Sequence, residues 1–125
     1  ILNNYNISNN IEIITRTNDI RLILNKCHVF VLPSYHEGLP RTSIEALALG
    51  KPIITTDVSG CRETVINNIN GYLVKEKKIF GLVKSMLKFI KNNKNISIMS
   101  EQSRHLAEVK FDYKVVNKII LSKLS

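Results

Sequence analysis

Short apolar runs that alternate with helical patterns constrain the fold of this chain more than any other feature. The run HVFVL (28–32) is apolar after its histidine and ends at Pro33, a pattern typical of a strand buried on both faces. Strands that alternate with helices favour a parallel sheet covered on both sides and joined by right-handed crossovers. The sequence therefore predicts a Rossmann-like, three-layer α/β/α fold. The other predicted strands are IEIIT (11–15), KPIITT (51–56) and the end of NGYLV (70–74).

Helical patterns fall between these strands and fill the C-terminal portion. Asn18 or Asp19 is available to cap the first helix. TSIEALALG (42–50) predicts a short buried helix that stops at Gly50, because glycine is preferred just past a helix end. From Lys78 onward, apolar stripes at helical spacing predict a helical portion. The first predicted helix has the apolar stripe Ile20, Ile23, Leu24 and Cys27. The stripes after Lys78 are Ile79, Val83, Met86, Leu87 and Ile90, and then Val116, Ile119, Ile120 and Leu124. One more helix is predicted over 95–108 and one helical turn at ETVIN (63–67).

Length and composition favour one compact domain over residues 1–125, with a loop or frayed start at 1–10. No apolar run is long enough to span a membrane, and no leader resembles a signal peptide. Cys27 and Cys61 have no metal or disulfide spacing and are interpreted as free thiols in a reducing compartment. The three histidines show no metal spacing either. We therefore expect a cytoplasmic protein without a metal or other cofactor.

The net charge of +8 favours anionic partners, namely nucleic acid, acidic phospholipid or a phosphorylated substrate. The alternative is that the lysines solvate helical faces. Tryptophan is absent and the other aromatic residues are scattered, so no basic patch has the interleaved aromatic side chains that stack on bases. We expect no specific nucleic acid partner. A peripheral position on an anionic membrane, at its inner face, remains compatible with the charge.

The stretch PSYHEGLPRTSIEALALGKP (33–52) contains two carboxylates that allow two interpretations. Glu37 is either a solvated loop residue or a ligand for sugar hydroxyls. Glu45 stands three residues after Thr42, the spacing of a capping box, or it accepts hydrogen bonds from a ribose diol, as acidic residues do in dinucleotide sites. A helix N-terminus near 40–44 is an anion site at the edge of the sheet where ligands bind. Together these features suit a nucleotide-sugar.

Other enzyme motifs are absent from the sequence. Neither G-x-G-x-x-G nor G-x-x-x-x-G-K-[ST] occurs. A glycosidase pair is disfavoured, because such carboxylates work across an open cleft on one sugar and Glu45 is predicted to lie on a buried helix. His36, beside Glu37, is a catalytic base, a loop surface residue or part of the lining of a donor site.

The segment VFVLPSYHEGLPRTSIEALALGKPIITTDVSGCRETVINNINGYLV resembles the C-terminal, donor-binding domain of family 4 (group 1) retaining glycosyltransferases with the GT-B fold. The matching features are a strand that ends in PS, an EG pair, a second glutamate eight positions after the first, the A.G.P of ALGKP (48–52), and a later glycine and glutamate, Gly60 and Glu63, followed by Gly71. The match covers residues 28–74 and is similar to the branch that builds capsule, O-antigen and lipid-linked oligosaccharides.

The resemblance implies a role for each matching residue. Glu37 would hold hydroxyls of the transferred sugar and has the catalytic, sugar-positioning role. Glu45 would bind the nucleotide ribose. The remaining implied donor contacts are Gly38, Leu39 and Pro40 along the sugar and diphosphate, and N–H groups of Thr42, Ser43 and Ile44 at the phosphate. Arg16, Thr17 and Asn18 would border the nucleobase, and the loop from Ser59 to Glu63, with Gly60 and Arg62, would line the cleft beside His36.

The resemblance implies half of an enzyme that transfers a sugar from a nucleotide-diphosphate sugar, UDP-sugar first, to a glycan or lipid-linked acceptor in polysaccharide biosynthesis. The family's N-terminal acceptor domain and the first strand and helix of the donor domain lie outside this sequence. Alone, the chain is expected to bind donor weakly and to transfer nothing, with 109–125 as the family's closing helix. The alternatives are a non-catalytic nucleotide-binding module and a basic domain that binds polyanions or membrane surfaces.

Overall fold

The computed structural model describes the backbone of residues 7–124 and the side chains of residues 7–122. Three strands and six α-helices follow one another along the chain. A 3-10 turn at Ser8–Asn10 precedes them, and the predicted loop at 1–6 lies outside the described residues. The elements are α1 (Ile20–Lys26), β1 (Phe30–Leu32), α2 (Arg41–Ala48), β2 (Ile53–Thr56), α3 (Ser59–Arg62), β3 (Gly71–Val74), α4 (Ile79–Lys91), α5 (Lys94–Leu106), a π-helical segment (Ala107–Phe111) and α6 (Tyr113–Leu124).

The three strands form a parallel sheet in the order β1-β2-β3. Because side chains alternate across a strand, the buried neighbours Ile53 and Ile54 of β2 face opposite sides. Ile53 packs in a cluster with Leu24 of α1 and Leu47 of α2. Ile54 packs in a second cluster with Phe89 of α4. The predicted α/β/α layering is confirmed, and two apolar layers hold the helices against the sheet.

β1 is less buried than predicted. The run at 28–32 was expected to be covered on both faces, yet Phe30, Val31 and Leu32 are all only half-buried. β1 pairs with β2 along one side only within the described residues, so it is an edge strand. An edge strand has neighbours on one side only, which explains the remaining exposure of its side chains.

The predicted strand at 11–15 is wrong. Residues 11–17 are without regular secondary structure, and Ile11, Ile13 and Ile14 are exposed. β-branched residues favour extended backbone, but a strand also needs a neighbour that accepts its hydrogen bonds and covers its side chains. Within residues 7–124 the segment has neither.

The C-terminal end of α2 lies where the sequence predicts it. Gly50 adopts a positive φ of 63°, which glycine tolerates at little cost. Its N–H donates to the carbonyl of Leu47, and the N–H of Lys51 donates to the carbonyl of Ala46. These two bonds form a Schellman motif, so the predicted end of the helix at Gly50 is confirmed.

The loop between α3 and β3 is organised by the side chain of Asn70. The predicted helical turn at 63–67 is wrong, because helix occurs earlier, in α3. Asn70 is fully buried; its amide donates to the carbonyl of Thr64 at 3.0 Å and accepts from the N–H of Ile66 at 2.7 Å. The Ser103 hydroxyl of α5 donates to the Asn70 carbonyl at 3.3 Å. Asn70 thus forms hydrogen bonds with backbone groups of this non-helical loop and connects the loop to α5.

α4 turns a different face to the core than its predicted apolar stripe. Ser85 and Phe89 are buried, and Phe89 contacts the Tyr72 ring at a centroid distance of 5.1 Å. All five stripe residues are exposed instead, namely Ile79, Val83, Met86, Leu87 and Ile90. The helix is apolar on more than one side, so periodicity alone did not select the buried face.

The C-terminal helices agree with the predicted pattern. α5 corresponds to the helix expected over 95–108, and the π-helical segment joins it to α6. On α6, Val116, Ile119 and Ile120 are exposed, while the side chain of Leu124 lies outside the described residues. Cys27 and Cys61 are both free. No helix in the described part of the chain is long and apolar enough to cross a membrane.

Candidate functional site

The candidate site lies where the parallel strands end at their carboxyl edge. The loop 33–40 follows β1 and leads into α2, while α3 follows β2. A Cβ placed on Gly60 of α3 would lie 1.5 Å from the carbonyl oxygen of Gly38 and 2.5 Å from that of Glu37. The two loops therefore touch through backbone atoms, and only a glycine fits at position 60. The structure brings Gly60 together with Glu37 and Gly38.

Glu37 is half-buried and is held by its own loop. The Ser34 hydroxyl lies 3.2 Å from Glu37 Oε1 and 3.3 Å from the His36 carbonyl, so it donates to either oxygen. The Thr56 hydroxyl, at the end of β2, donates to the Ser34 carbonyl. This chain of contacts fixes the Glu37 carboxylate relative to the sheet. Sequence reasoning missed Ser34 and Thr56, although each stands at the end of a predicted strand.

α2 begins at Arg41, with Pro40 in the N-cap position and no side-chain capping bond. The capping box of Thr42 and Glu45 is therefore absent, because Thr42 already lies inside the helix. The N–H groups of Ser43 and Ile44 both donate to the Pro40 carbonyl, at 3.1 and 3.3 Å. Two of the three N–H groups assigned to phosphate thus already have an acceptor.

The N–H groups that remain open belong to Arg41 and Thr42, which have no acceptor among residues 7–124. The Ser43 hydroxyl is fully buried and likewise lacks a hydrogen-bond partner within the described residues. Unpaired N–H groups at a helix start attract anions, and the helix dipole adds to this attraction. An anion at α2 would therefore meet Arg41 and Thr42 first.

Glu45 lies between two arginines. Arg41 Nε is 3.4 Å from Glu45 Oε1, with the Glu45 side chain 27% exposed. Arg21 of α1 is held at 2.8 Å by both carboxylate oxygens of Asp19. These bonds with Asp19 and the charge of the nearby Glu45 raise the pKa of Arg21, while the Arg21 hydrogen bonds lower the pKa of Asp19. The carboxylate oxygens of Glu45 can accept hydrogen bonds from hydroxyl groups.

The loop proposed to border a nucleobase lies just before α1. Arg16, Thr17 and Asn18 are exposed, and the Thr17 hydroxyl donates to the Asp19 carbonyl at 3.1 Å. Asp19 is the N-cap of α1 and accepts from the N–H of Arg21, as the sequence predicted. Arg21 connects this loop electrostatically to Glu45. Within the described residues, Arg16 makes no hydrogen bond or ion pair with another residue of the candidate site.

The α3 loop directs its charged residues away from one another. Arg62 is exposed and forms an ion pair with Asp57, so it has a local structural partner. Glu63 binds Lys110 of the π-helical segment at 2.6 Å, and this hydrogen bond lowers the Glu63 pKa. Arg62 and Glu63 are thus each paired with another residue of the fold. Among the proposed cleft-lining residues, Gly60 has the closest contact with the Glu37 loop.

His36 and Leu39 are both exposed in the loop that precedes α2. Within residues 7–122, the His36 imidazole makes no hydrogen bond that would orient it as a base. Leu39 is 50% exposed and offers an apolar surface next to Pro40. Both residues remain available to a ligand at this edge.

A separate groove lies elsewhere in the fold. It has a volume of about 760 Å³ and is lined by β1 and α4, including His28, Val29 and Phe89. His28 and Val29 precede β1 and so mark the amino end of the strand, whereas ligands of parallel α/β sheets bind beyond the carboxyl ends. We therefore place the site at the loop 33–40 and not in the groove.

The fold and the site define a class: a parallel α/β domain in which the open N-terminus of α2 follows a strand end, with one carboxylate in the loop before it, Glu37, and one within the helix, Glu45. The family described as glycosyl transferases, group 1, matches residues 1–106. The chain belongs to this family and corresponds to the C-terminal domain of its GT-B fold.

Two bacterial relatives illustrate the match. The chain is 31% identical over 107 residues to the capsular polysaccharide biosynthesis glycosyltransferase CapM of Staphylococcus aureus, covering 86% of the chain and 28% of the relative. It is 34% identical over 88 residues to an Escherichia coli UDP-Gal:alpha-D-GlcNAc-diphosphoundecaprenol alpha-1,3-galactosyltransferase, covering 70% of the chain and 22% of the relative. The chain thus spans less than a third of either relative.

Among solved structures, Anabaena HepE in complex with UDP aligns with a TM-score of 0.90 at 21% identity. The alignment covers 98% of this chain and 34% of HepE. At this identity the likeness shows the fold alone, and it agrees with the parallel α/β arrangement described above.

Proposed function

We propose that the chain is the donor-binding half of a retaining glycosyltransferase of cell-surface polysaccharide synthesis. It would hold a nucleotide-diphosphate sugar while the rest of the enzyme presents a glycan or lipid-linked acceptor. The observation that carries this proposal is the open pair of N–H groups of Arg41 and Thr42 at the start of α2, with Glu37 in the loop before them and Glu45 one turn after them in the chain. A nucleotide-sugar has hydroxyl groups at both ends of a diphosphate, so it matches two carboxylates that flank an anion site.

Each group has a role that follows from its position. The Glu37 carboxylate accepts hydrogen bonds from the transferred sugar, which lies along the backbone of Gly38 and past Leu39 and Pro40. The N–H groups of Arg41 and Thr42 donate to the diphosphate. Donors aimed at the leaving diphosphate stabilise the charge that grows as its bond to the sugar breaks. Glu45 accepts from the ribose after exchanging part of its contact with Arg41.

Uracil is the nucleobase that the comparisons favour. The name of the Escherichia coli relative includes UDP-Gal as donor, and HepE was crystallised with UDP. We infer that this chain takes a UDP-sugar, with residues 16–18 next to the base. Transfer with retention, in which attack and departure share one face of the sugar and no metal takes part, is part of the same proposal.

The test uses the protein encoded by the whole reading frame and the variants Glu37→Gln and Glu45→Gln. Each variant keeps the size of the side chain but removes its charge. We expect Glu37→Gln to lower transfer by about a hundredfold, by analogy with the loss of one transition-state hydrogen bond. Glu45→Gln should weaken UDP binding by about tenfold, since a hydrogen bond to a charged group contributes about 1.5–3 kcal/mol. Glu101→Gln, exposed on α5, is the matched control.

Three outcomes separate the candidate functions. Unchanged transfer in both variants would sink the assignment of the two glutamates. UDP binding without transfer by the full-length protein would leave a nucleotide-binding module. Transfer that stops in EDTA and returns with a divalent cation would contradict the metal-free part of the proposal.

A further inference from the structure

The outward side of α4 carries large apolar side chains that are exposed and do not pack in the core. Ile79, Phe80, Val83 and Leu87 are 75%, 91%, 46% and 40% exposed. Because residues three or four apart share a helix face, these four side chains form one surface, which we call the α4 surface. Its exposure is a property of the described fold, since α4 meets the sheet through Ser85 and Phe89 instead.

Lysines surround the α4 surface. Residues 75–94 contain seven lysines and one glutamate, a net charge of 7 − 1 = +6 out of +8 for the whole chain. Lys88 lies with its Nζ 4.3 Å from the centre of the Tyr72 ring, so it is engaged within the fold. Lys84 and Lys91 occupy the same helix on the side next to Phe80 and are exposed. An apolar strip bordered by lysines is typical of helices that lie in a membrane interface.

We propose that the α4 surface docks on an anionic phospholipid membrane, with Phe80 and Leu87 entering the interface and the flanking lysines meeting lipid phosphates. Charge complementarity selects this partner over a second copy of the chain. A symmetric dimer through α4 would bring the same lysines of both copies together, and opposed like charges are unfavourable at an interface.

The position of α4 relates this surface to the candidate donor site. A small cavity of about 70 Å³ lies between the carboxyl edge of the sheet and the start of α4. Pro33 and Thr56 line it on the side of the sheet, and Lys78 and Ile79 line it on the side of α4. Docking through α4 would therefore hold the donor edge close to the bilayer. The benefit for a lipid-linked acceptor depends on the proposed function, whereas the membrane binding itself does not.

The test is co-sedimentation of the protein with vesicles of phosphatidylcholine alone or with added phosphatidylglycerol. We expect binding only to the anionic vesicles. Phe80→Ser should weaken it by about tenfold or more, because burial of a phenylalanine side chain contributes about 1.5–3 kcal/mol. The matched control is Leu22→Ser, a 65% exposed position on α1, which packs on the opposite face of the sheet. Lys84→Gln with Lys91→Gln should also weaken binding.

Several results would overturn the proposal. Absence of binding to anionic vesicles excludes a membrane partner. Equal losses in Phe80→Ser and Leu22→Ser, with unchanged thermal stability, exclude this surface. A dimer in solution that Phe80→Ser dissociates, without vesicle binding, assigns the surface to a second copy. UDP binding by Phe80→Ser should equal that of the unmodified protein, so failure here is distinguishable from failure of the donor site.

Discussion

Gly60 determines how closely two loops of the candidate site approach each other. The backbone of Gly38 occupies the space where a side chain at position 60 would stand. Since the obstructing atoms belong to backbone and not to the end of a flexible side chain, the Glu37 loop itself has to move. The spacing of the two loops is thus sensitive to a single methyl group.

We expect Gly60→Ala to lower the free energy of unfolding by about 1–3 kcal/mol, the usual range for overpacking. It should also weaken donor binding beyond this loss of stability, because Glu37 is displaced with its loop. Gly38→Ala is the stability control, since an added Cβ there meets nothing within 4 Å. Chemical denaturation and UDP titration of both variants measure the two effects; equal stability of the two variants would contradict the close contact.

At the scale of single residues, sequence reasoning proposed a candidate site but did not predict the contacts of its residues. It identified Glu37, Glu45 and Gly60, because their types and order match a known pattern. One of its two interpretations of Glu45 was a capping box with Thr42, whereas the helix begins one residue before Thr42 and Glu45 meets Arg41 instead. A shift of one residue at a helix start changes which N–H groups are open, and short-range patterns do not determine that shift.

Among the secondary-structure elements, α3 is tied to the C-terminal region by the ion pair of Glu63 with Lys110. Lys110 also donates to the Glu63 carbonyl at 3.0 Å, so one ammonium group holds both the side chain and the backbone after α3. The Lys110 hydrogen bond lowers the pKa of Glu63 from 4.5. Folding therefore favours the ionised carboxylate.

The ion pair of Glu63 with Lys110 predicts that the free energy of unfolding depends on pH. A carboxyl group with a lowered pKa in the folded state stabilises the fold above its unfolded value of 4.5, and the contribution disappears as the pH falls through the lowered pKa. A double-mutant cycle of Glu63→Gln and Lys110→Gln should show favourable coupling at neutral pH and none in strongly acidic solution. Glu101→Gln with Lys110→Gln should show no coupling at either pH. Coupling of Glu63 with Lys110 that persists in acid would contradict the ionic assignment.

Elements were predictable where the local sequence and the core require the same structure. β2 consists of β-branched residues that are all buried, and α2 ends at Gly50, so pattern and structure agree. Pattern and structure disagree at 11–15, where the residues favour a strand but no neighbouring strand pairs with them within residues 7–124. They also disagree on α4, where Phe89 faces the core and the stripe from Ile79 to Ile90 does not. Contacts between distant segments decide both cases, and local periodicity contains no information on them.

For the whole molecule, the donor site predicts stabilisation by ligand. A ligand that binds only the folded state at a hundred times its Kd stabilises by about 2.7 kcal/mol, which raises the Tm by several degrees for a domain of this size. UDP should produce this shift, and uridine a smaller one, because uridine lacks the diphosphate that meets the N–H groups of Arg41 and Thr42. Equal shifts for UDP and uridine in a thermal scan would contradict an anion site at α2.

The fold class of the whole molecule was predictable because alternating strands and helices permit few arrangements. The acceptor and the extent of the complete enzyme were not, since the chain spans 28% and 22% of the two relatives described. The roles proposed for Glu37 and Glu45 concern the donor only. No residue pattern in this sequence identifies the molecule that receives the sugar.

The shortness of β1 has a consequence for the solubility of the protein. An unpaired strand edge is a template on which other chains can add strands and begin to aggregate. β1 extends only from Phe30 to Leu32, and Pro33, which follows it, has no N–H to donate. An incoming strand would find a ladder of three residues, too short to hold it firmly. Within residues 7–124, the free side of β1 thus offers little on which an amyloid-like stack could grow.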